Sequence, residues 1–591
     1  DDRGLTTTMV DPNGNTTNYE YDEAARPVAT VGPAVSVEVF GSGPAVPLRP
    51  VGLTGYNAFG EPVEQQDPLG NVTRTRVDAL GRPWQTILPT YPPPGGDPIV
   101  DASSTVVHDK LGQVTSTTDP LGRTTRFEYD PLGNRTKVTD PAGKVSTARY
   151  DPIGDLLETV DPTGATSTAT YDYLRRKVTT TQVVRQPAPV ANTTTYDYGT
   201  GAYSNTAEAG PWLRKVTSPD GVVASTGYNL LGEPVTTTDG AGHVTTAEYD
   251  GAGRTWRTTR PDGTRTVQIF DGAGRVVRTL ELSATDAVLS SRSARYDGNG
   301  NTIAATDARG TTTTFTFDAG DNLTSQAQPV TATSSIVTSF GYDPAGHRTR
   351  FTDGRGNAFW TTYNAWGLAE SQVEPATTAT PTPADRTWTL GYDAAGRAVS
   401  QSQPGGVLVA NRYDDLGRLV QQSGSGAEVA TATRTFGYDD AGRMTSAAVP
   451  GDTITIGYDD RNLPVSVTGP HDNAAYTYTR DGQLAPRVDA SGTTSFGYDT
   501  AGRVRTVANP TTGVTLGVEY NQLSQPNKVT YGGSNVRTFG YDPLHRVQTD
   551  TIKTADGAVT LGSITYGYDA NGNETAKTTT GVAGASANTY T

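Results

Sequence analysis

Short alternating runs of apolar and polar residues recur along the whole chain, and each run ends at a similar turn. In Thr125-Arg126-Phe127-Glu128-Tyr129 the aromatic residues occupy every second position, and Arg434-Thr435-Phe436-Gly437-Tyr438 repeats this pattern. Such alternation predicts a β-strand with aromatic side chains on one face and Thr, Arg or Glu on the other. The last aromatic residue, here called the anchor, is followed by Asp-x-x-Gly, which predicts a tight turn.

The anchors form one internal repeat, which has to be recognised before any other feature is interpreted. There are 24 anchors, 20 of them Tyr, and ten of the 23 intervals between them are 21 residues long. Because the chain contains 29 Tyr in all, about two thirds of its tyrosines serve one structural position. The anchors stand at positions 21, 56, 77, 108, 129, 150, 171, 196, 228, 249, 270, 296, 317, 342, 363, 392, 413, 438, 458, 478, 498, 520, 541 and 568.

The fourth residue after the anchor indicates the backbone conformation of the turn. It is Gly in 17 of the 24 copies, as expected where φ is positive. Asp321, Asn462 and His545 replace Gly with residue types that tolerate the left-handed region. Arg175 and Ser524 fit this region less well, so the sequence predicts altered turns at these two positions.

A second strand follows each turn and ends in a second turn of the type Asp119-Pro120-Leu121-Gly122 or Asp140-Pro141-Ala142-Gly143. Proline presets φ at the first corner of such a turn, and glycine closes it. Each repeat is therefore predicted to be a β-hairpin joined to its neighbours by another tight turn. The expected fold is all-β, a long antiparallel meander of roughly 45 to 50 strands.

The uniform repeat favours a single continuous array over residues 1–591 with about 24 repeats. Four longer intervals place Pro-rich or small-residue insertions near 32–50, 89–104, 199–213 and 373–387, which we interpret as rim loops. They are expected to be tolerated surface insertions, with contact sites as the alternative. Asp1-Asp2-Arg3-Gly4-Leu5 matches Asp459-Asp460-Arg461-Asn462-Leu463, and Tyr590-Thr591 matches Tyr476-Thr477, so both ends fall inside the array. We therefore expect a piece of a longer protein.

Composition narrows the possible partners. Only 34% of the residues are hydrophobic, which suits a thin curved sheet whose tyrosines pack against neighbouring repeats. The net charge of −15 argues against nucleic acid and anionic membranes as partners, since both require clustered Lys and Arg. The Arg residues that follow the turns are spaced one per repeat, and we expect them to pair with turn Asp residues or to stack on tyrosines. No apolar run approaches the roughly 18 residues of a membrane-spanning helix.

Catalytic and metal-binding chemistry finds no support in the sequence. The chain has no Cys, which removes disulfides and thiol catalysis, and its five His residues show no partner set that suggests a triad. Asp297-Gly298-Asn299-Gly300-Asn301 and Asp569-Ala570-Asn571-Gly572-Asn573 resemble the start of a Ca²⁺ loop but lack the later Glu ligand. Both coincide with the repeat turn. We therefore predict no catalytic, cofactor-binding or metal-binding residues and no cofactor.

The Gly-Tyr-Asp-x-x-Gly-Arg unit, with its Asp-Pro-x-Gly second turn, resembles the YD repeat of the Rhs family. That family includes bacterial polymorphic toxins, wall-associated repeat proteins, cocoon-forming components of Tc toxins and animal teneurins. The resemblance implies a spiralling antiparallel sheet wound into a hollow shell or barrel. Its expected structural anchors are Tyr129, Tyr249, Tyr342, Tyr392, Tyr438, Tyr498, Gly133, Gly253, Gly396, Gly442, Gly502, Arg254, Arg397, Arg443 and Arg503.

The strand count is compatible with such a shell on its own. About 48 strands at ~4.8 Å make a ribbon roughly 230 Å long, and strands of about seven residues make it roughly 23 Å wide. Since sheets twist and coil, a flat ribbon of that length is disfavoured. Winding it about twice would pair its long edges laterally and protect them.

The family offers two functional hypotheses. In the first, a non-catalytic, monomeric shell encapsulates a C-terminal toxin or effector polypeptide from the same gene, in a secreted bacterial toxin. In the second, an extracellular or wall-associated, teneurin-like protein binds partner proteins or glycans through its surface. This chain shows no closing signature for effector self-cleavage, no effector domain and no recognisable plug or β-propeller. Both hypotheses place it outside the cell or at the bacterial cell surface, without nucleic acid and without membrane insertion.

Overall fold

The computed structural model describes residues 1–41, 43–93, 100–186, 188–199, 211–471, 473–582, 584 and 586–589. Within them the chain forms 52 β-strands and one short 3₁₀ turn, Pro383–Arg386, so the predicted all-β fold is confirmed. Strands β1 to β26 are Thr8–Val10, Thr16–Tyr21, Pro27–Val31, Val35–Val37, Val46–Leu48, Val51–Tyr56, Pro62–Gln66, Val72–Val77, Pro83–Ile87, Ser103–His108, Val114–Thr118, Thr124–Tyr129, Arg135–Thr139, Val145–Tyr150, Leu156–Val160, Thr166–Tyr171, Lys177–Val184, Val190–Asp197, Lys215–Thr217, Val223–Tyr228, Pro234–Thr238, Val244–Tyr249, Thr255–Thr259, Arg265–Phe270, Val276–Leu282 and Val288–Tyr296.

Strands β27 to β52 continue in the same style. They are Thr302–Thr306, Thr312–Phe317, Leu323–Pro329, Ser335–Tyr342, Arg348–Thr352, Ala358–Tyr363, Ala369–Val373, Thr387–Tyr392, Ala398–Ser402, Leu408–Tyr413, Leu419–Ser425, Arg434–Tyr438, Met444–Val449, Asp452–Tyr458, Pro464–Thr468, Ala474–Tyr478, Leu484–Asp489, Gly492–Tyr498, Val504–Ala508, Thr515–Tyr520, Pro526–Tyr531, Asn535–Tyr541, Val547–Thr554, Thr560–Tyr568, Glu574–Gly581 and Ser586–Thr589.

Most consecutive strands pair antiparallel, and in most hairpins the register shifts at the anchor. In the hairpin of β12 and β13, Glu128 pairs with Lys137 but Tyr129 pairs with Arg135, which leaves a bulge. Gly133 closes the turn with φ 88° and donates its N–H to the carbonyl of Asp130 at 3.0 Å. A tight turn followed by a left-handed residue in a bulge is a favoured hairpin connection. The Asp-x-x-Gly spacing therefore fixes both the turn and the register.

The predicted altered turns at Arg175 and Ser524 are wrong. Both residues adopt φ near that of the other turns, 63° and 61°, and both donate their N–H to the carbonyl three residues earlier. Ala25 does the same with φ 63°. The left-handed conformation costs a non-glycine residue roughly 1–2 kcal/mol, which the hydrogen bonds of the surrounding turn outweigh. Turn geometry is thus set by the Asp and by the strand pairing rather than by glycine alone.

The chain divides into two compact units, each built from two separate stretches of ribbon plus a short segment. Unit 1 contains Asp1–Ala148, Arg295–Ala305 and Thr312–Asp452, and unit 2 contains Arg149–Ala294, Thr306–Thr311 and Thr453–Thr591. We call the earlier part of each unit its first pass, namely Asp1–Ala148 in unit 1 and Arg149–Ala294 with Thr306–Thr311 in unit 2. The later part is the second pass, namely Arg295–Ala305 with Thr312–Asp452 in unit 1 and Thr453–Thr591 in unit 2. In both units the second pass lies beside the first, so each unit is two ribbons joined along one edge.

Two of the predicted rim loops contact the second pass of unit 1. In the 32–50 region, Val35–Val37 pairs with Val46–Leu48, and Val37 also forms a parallel bridge with Tyr342. In the 89–104 region, Tyr91 is 0% exposed and its ring lies 4.9 Å from that of Trp366. These insertions therefore supply contacts between passes, and Tyr91 is one of the largest fully buried side chains among the described residues.

Two of the four loops are described only in part. Residues 94–99 of the 89–104 loop and residues 200–210 of the 199–213 loop lie outside the described residues, as do Tyr590 and Thr591. The 373–387 loop contains the short 3₁₀ turn, and the backbone N–H of Glu374 donates to the carbonyl of Arg386 at 3.0 Å. Val373, the first residue of this loop, is 1% exposed.

Candidate functional site

The polar contacts that recur from repeat to repeat are concentrated in the turn after the anchor, here called the anchor turn. Asp414 accepts hydrogen bonds at Oδ1 from the backbone N–H groups of Leu416 and Arg418, each at 2.9 Å. Its Oδ2 accepts from Nε of Arg418 at 2.7 Å. One carboxylate therefore satisfies two turn amides and holds the arginine that follows the turn.

The arginine then reaches forward to the next repeat. Arg418 Nη1 donates to the carbonyl of Asp439 at 3.0 Å, and the guanidinium lies 4.7 Å from the ring centre of Tyr438. Each such arginine links two successive anchor turns through an ion pair, a hydrogen bond and a cation–π contact. The expectation that these Arg residues pair with Asp or stack on aromatic rings is confirmed. Stacking on the next anchor also occurs for Arg26, Arg254, Arg397, Arg503 and Arg546.

Some repeats use the same geometry with reversed polarity. In three of the turns that begin with Asn, the fifth residue is Glu or Gln, and the Asn side-chain amide donates to it. Asn57 donates from Nδ2 to Glu61 at 2.5 Å, and Asn229 donates to Glu233 at 2.6 Å. Both Asn side chains still accept from the turn amides through Oδ1.

The anchor tyrosines link each repeat to the preceding one. The hydroxyl of Tyr438 donates to the carbonyl of Leu419 at 2.7 Å, and that of Tyr129 donates to Val114 at 2.8 Å. In both cases the acceptor is the sixth residue after the preceding anchor, at the start of the second strand. The sequence pattern did not reveal this bond, because backbone carbonyls carry no residue signature. The same bond is made by Tyr342, Tyr392, Tyr498, Tyr520 and Tyr568.

The hydrogen bonds of the turn perturb its carboxylates. The side chain and the backbone N–H of Arg82 lower the pKa of Asp78 to about 2. At Asp414 burial opposes ionisation, but the hydrogen bonds from Arg418 outweigh burial and lower the pKa. Burial raises the pKa of the anchor tyrosines Tyr342 and Tyr498. These groups are ionised or neutral as their structural roles require at neutral pH, and none is poised for proton transfer.

The residues expected to be structural anchors occupy equivalent places in separate repeats. Gly133, Gly253, Gly396, Gly442 and Gly502 all have positive φ between 73° and 88°. The expected arginines bind Oδ2 of the Asp at the start of their own turn through Nε, as Arg254, Arg397, Arg443 and Arg503 show. Since each group lies in its own turn, they do not converge on one pocket.

A second set of contacts joins the two passes within each unit, and we call this joint the seam. In unit 1 it connects second turns of the first pass with anchor turns of the second pass. Asn13 donates to Asp297 at 3.0 Å across 284 residues, and Lys144 lies 2.9 Å from Asp440 across 296 residues. Arg123 donates to the Asp414 carbonyl at 3.4 Å across 291 residues. Glu38 adds a two-pronged pairing with Arg350.

The seam of unit 2 follows the same order. Arg185 pairs with Asp460 at 2.6 Å, and Asp220 and Asp481 exchange backbone-to-carboxylate hydrogen bonds at 2.8 and 2.9 Å. His545 lies 3.0 Å from Asp262, across 283 residues. Burial opposes the ionisation of Asp262, but hydrogen bonds from Thr264 and His545 lower its pKa. The chain thus returns beside itself after 260 to 312 residues in the two units.

Sequence reasoning did not identify the seam residues, although one signal was available. The third residue after the anchor is large and apolar in many first-pass turns, as at Phe59 and Leu80, and often small or polar in second-pass turns, as at Ala345 and Ala441. Close approach favours small side chains. At Gly240 an added Cβ would lie 2.7 Å from the Thr500 carbonyl, which shows how near the two edges of unit 2 come.

No enzyme-like centre is found among the described residues. Within them no group of three or more His, Cys, Asp or Glu could hold a metal ion. His243 and His347 pair with the Asp of their own turns, at 3.1 and 2.9 Å. A cleft of about 290 Å³ in unit 2 is lined by residues that include Arg260, Glu281 and His545, but its charged groups already pair with neighbours. No helix in the described part of the chain is long and apolar enough to cross a membrane.

Comparison with known proteins identifies the repeat. The model named RHS Repeat matches residues 1–34, 108–145 and 296–333, and the model named Teneurin YD-shell matches residues 435–552. A comparison with curated proteins finds no match.

Solved structures share the fold at low sequence identity. The Tc holotoxin pore of Photorhabdus luminescens matches with 13% identity and a TM-score of 0.61, over 97% of this chain and 38% of that one. The TcdB2-TccC3 structure matches with 13% identity and a TM-score of 0.54, over 95% and 40% of the two chains. TcdB2-TccC3 without its hypervariable C-terminal region matches with 12% identity and a TM-score of 0.54, over 95% and 41%. The chain therefore spans about two fifths of the structures that it matches.

The matched segments fall in both passes, and the same turn chemistry runs in register through the repeats between them. The repeats of this chain are therefore of the YD type that the RHS Repeat and Teneurin YD-shell models describe.

Proposed function

We propose that the chain forms the wall of a non-catalytic YD-repeat shell that encapsulates a C-terminal toxin or effector polypeptide in a secreted bacterial Rhs-type toxin. The observation that carries the proposal is the seam, by which the ribbon binds its own edge after 260 to 312 residues in both units. A ribbon that repeatedly seals its edges is suited to enclosing a polypeptide, whereas an open ribbon exposes strand edges to aggregation.

The distribution of chemistry supports a wall rather than an enzyme. Perturbed carboxylates normally mark catalytic sites when they converge in a cleft. Here the lowered pKa values belong to turn residues such as Asp78, Asp250 and Asp499, one per repeat, and each is explained by the turn that the residue holds. Periodic chemistry of this kind supplies stability evenly along the ribbon and leaves no position distinguished from the rest.

The fold likeness to the Tc holotoxin pore and to TcdB2-TccC3 supports the same proposal. The identity is 13%, so the likeness itself concerns the fold. The enclosed effector, its origin in the same gene and the secretion of the complete protein belong to the proposal.

Limited proteolysis of the complete native gene product, followed by mass spectrometry, tests encapsulation. We expect a C-terminal segment beyond Thr591 to survive within an intact shell and to be digested only after the shell unfolds. Digestion of that segment while the shell is intact, or its absence from the gene product, would overturn the proposal.

A seam variant sharpens this experiment. Asp460→Ala removes the partner of Arg185 and should admit protease at lower denaturant concentration than the wild type requires. Asp415→Ala is the matched control, since Asp415 occupies the same turn position two repeats earlier and, within the part of the chain that the structure describes, forms no ion pair with a first-pass side chain. Equal protection of the segment in both variants would show that the unit 2 seam does not guard it.

The teneurin-like alternative keeps one observation in its favour, the match of the Teneurin YD-shell model to residues 435–552. Under this alternative the outer surface binds partner proteins or glycans, and no effector is enclosed. The same proteolysis experiment distinguishes the two, because a product without a protected C-terminal segment leaves surface binding as the function to be tested.

A further inference from the structure

A pocket in unit 2 lies between the hairpin of β17 and β18 and the second pass. Both strands of this hairpin have eight residues, whereas the neighbouring strands β16 and β19 have six and three, so the hairpin reaches farther across the seam. The pocket has a volume of about 150 Å³. We call it the Asn192 pocket, and its lining includes Val184, Val190, Asn192, Asp459, Arg461, Val465, Tyr476 and Arg480.

Both walls of the Asn192 pocket belong to this chain. Its second-pass lining falls within residues 459–480, and two seam contacts hold the second pass at the ends of this segment. They are the ion pair of Arg185 with Asp460 and the hydrogen bonds between Asp220 and Asp481. The pocket is therefore an interior feature of the seam, formed by strands and turns that face each other, and not an open edge of the ribbon.

An amide without a partner lines this pocket. Asn192 is 6% exposed, and within the part of the chain that the structure describes its Oδ1 accepts no hydrogen bond. Buried polar side chains normally have a partner, so an orphaned one requires an explanation. Half a turn of the amide exchanges its donor and acceptor ends, so Asn192 can offer either end to a group in the pocket.

Neighbouring repeats show that the sheet itself does not require an amide at this position. Asn192 is the fourth residue before the anchor Tyr196. Small side chains occupy the same position in the repeats on either side, namely Ser167, Ala224, Thr245 and Thr266. The amide is thus a feature of this pocket and not of the repeat.

Apolar side chains form much of the remaining lining. Val184 is 6% exposed, and Val190 and Val465 also line the pocket. These side chains offer no hydrogen bond to water, so a methyl group that replaces water beside them is favoured. The lining therefore suits a small group that combines an amide with a methyl.

One cation of the pocket remains available for a ligand. Asp459 accepts from Nε of Arg461 at 2.9 Å, and Nη1 of Arg461 donates to the carbonyl of Thr479 at 2.6 Å, so this arginine is engaged. Arg480 is exposed and forms no ion pair with any residue that the structure describes. Arginine pairs preferentially with planar anions such as carboxylates.

We propose that the Asn192 pocket binds the acetamido group of an N-acetylated sugar acid, whose carboxylate pairs with Arg480. The carbonyl and N–H of the acetamido group complement the amide of Asn192, and its methyl contacts the valines. A volume of about 150 Å³ equals that of roughly five water molecules, which admits this substituent but not the whole sugar. The sugar ring then lies at the mouth, where Tyr476 supplies both an apolar ring and a hydroxyl.

The inference does not depend on encapsulation, because the pocket is formed by the wall alone. A shell can bind a sugar whether or not it encloses a polypeptide, so the proteolysis experiment above and the binding experiment below fail or succeed separately.

Saturation-transfer NMR with the native gene product tests the proposal. The probe is N-acetylneuraminic acid, which carries an acetamido group and a carboxylate, and its acetyl methyl protons should receive the strongest saturation. Deaminated neuraminic acid has a hydroxyl in place of the acetamido group, and N-acetylglucosamine lacks the carboxylate. Each should bind about tenfold more weakly, as expected for the loss of one strong hydrogen-bonded contact. Equal binding of either analogue, or no binding of N-acetylneuraminic acid, would overturn the proposal.

N-acetylalanine distinguishes a sugar from an acetylated amino acid. It carries an acetamido group and a carboxylate without a sugar ring, so it leaves Tyr476 without a contact and should bind more weakly than N-acetylneuraminic acid. Binding as tight as that of the sugar acid would assign the pocket to acetylated amino acids and contradict the proposal.

Substitutions locate the binding at this pocket. Asn192→Ala and Arg480→Ala should each weaken binding of N-acetylneuraminic acid about tenfold. Arg505→Ala is the matched control, because Arg505 is an exposed arginine of the same pass that does not line the pocket. Circular dichroism and thermal unfolding verify that each variant folds, and the exposed Arg480 can be replaced without disturbing the core. Full binding by folded Arg480→Ala, or equal weakening by Arg505→Ala, would place the ligand elsewhere and refute the assignment.

Discussion

In unit 1 the anchor turns of the first pass and those of the second pass share one backbone but differ in what covers them. Asp78 and Asp414 make the same bonds to their turn amides and to the following arginine. Yet Leu80, in the first-pass turn, is 74% exposed, whereas Leu416, in the second-pass turn, is partly buried, and the carbonyl of Asp414 in that turn accepts from Arg123 of the first pass. Two features of the sequence therefore have separate structural roles. The Asp and the strand pairing build the turn, and the third residue after the anchor adapts it to its surroundings.

Acid should have the largest effect, because it protonates the Asp carboxylates that hold both the first-pass and the second-pass turns. The pKa of Asp78 is lowered to about 2, and that of Asp414 is also lowered. A carboxylate with a depressed folded-state pKa stabilises the fold above its unfolded value near 4, and this stability is lost as the pH falls through the folded value. We expect cooperative unfolding between about pH 4 and pH 2, followed by far-ultraviolet circular dichroism. A loss of structure centred near pH 6 would instead implicate histidine.

Removal of Tyr91 should destabilise only the contact between the first-pass loop and the covered turn of the second pass. Tyr91→Ala deletes a fully buried ring that packs between the first-pass loop and Trp366. Large aromatic-to-alanine substitutions in cores cost about 3–5 kcal/mol, and chemical denaturation measures this loss. Tyr173→Ala is the control, since Tyr173 is 86% exposed, and it should change the free energy of unfolding by less than about 0.5 kcal/mol. Similar losses for both would show that Tyr91 does not join the passes.

Exchange of the Asp414–Arg418 pair should lower the free energy of unfolding by an intermediate amount, whether or not the facing pass covers the turn. Asp414→Asn weakens the bonds to Arg418 and should destabilise the chain by about 1–2 kcal/mol. Adding Arg418→Glu recreates the reversed pair seen at Asn57 and Glu61 and should recover part of this loss. A double-mutant cycle measures the recovery. Losses that simply add would contradict the idea that the two polarities are interchangeable solutions for one turn.

The anchor hydroxyl should have the smallest effect. Tyr498→Phe removes the bond to the Leu484 carbonyl, made at 2.6 Å, while the ring stays in place. A neutral hydrogen bond contributes about 0.5–1.5 kcal/mol, and the native anchors Phe270 and Phe317 already lack it. Thermal unfolding should therefore show a small decrease, against no change for Tyr173→Phe. An unchanged midpoint for Tyr498→Phe would show that the anchor hydroxyl does not stabilise the fold.

Much of the fold could be predicted from sequence because its information is local. The alternation before each anchor, the Asp-x-x-Gly turn and the Asp–Arg spacing of four residues all lie within one hairpin. The prediction of altered turns at Arg175 and Ser524 is wrong because residue preference alone does not include the hydrogen bonds of the turn, which hold φ positive at both positions. Strand pairing overrides that preference.

The seam could not be read from sequence, because its partners lie far apart and use ordinary residues. Lys144 and Asp440 are separated by 296 residues, and neither differs in type from many solvent-exposed residues of the chain. Glu38 and Tyr91 also join the two passes, and the only sequence signal for these contacts is the insertion that carries each residue. Only the size of the third residue after the anchor indicates which turns the facing pass covers.

The second pass lies against the first along a fixed register, and zero-length cross-linking tests this arrangement most directly. Lys144 Nζ lies 2.9 Å from the Asp440 carboxylate, so a carbodiimide should join these two side chains in an amide bond. Mass spectrometry of the digested monomer should identify the Lys144–Asp440 peptide pair, and Asp440→Asn should abolish it. Cross-links from Lys144 to Asp415, one repeat away, with none to Asp440, would contradict the register and with it the seam.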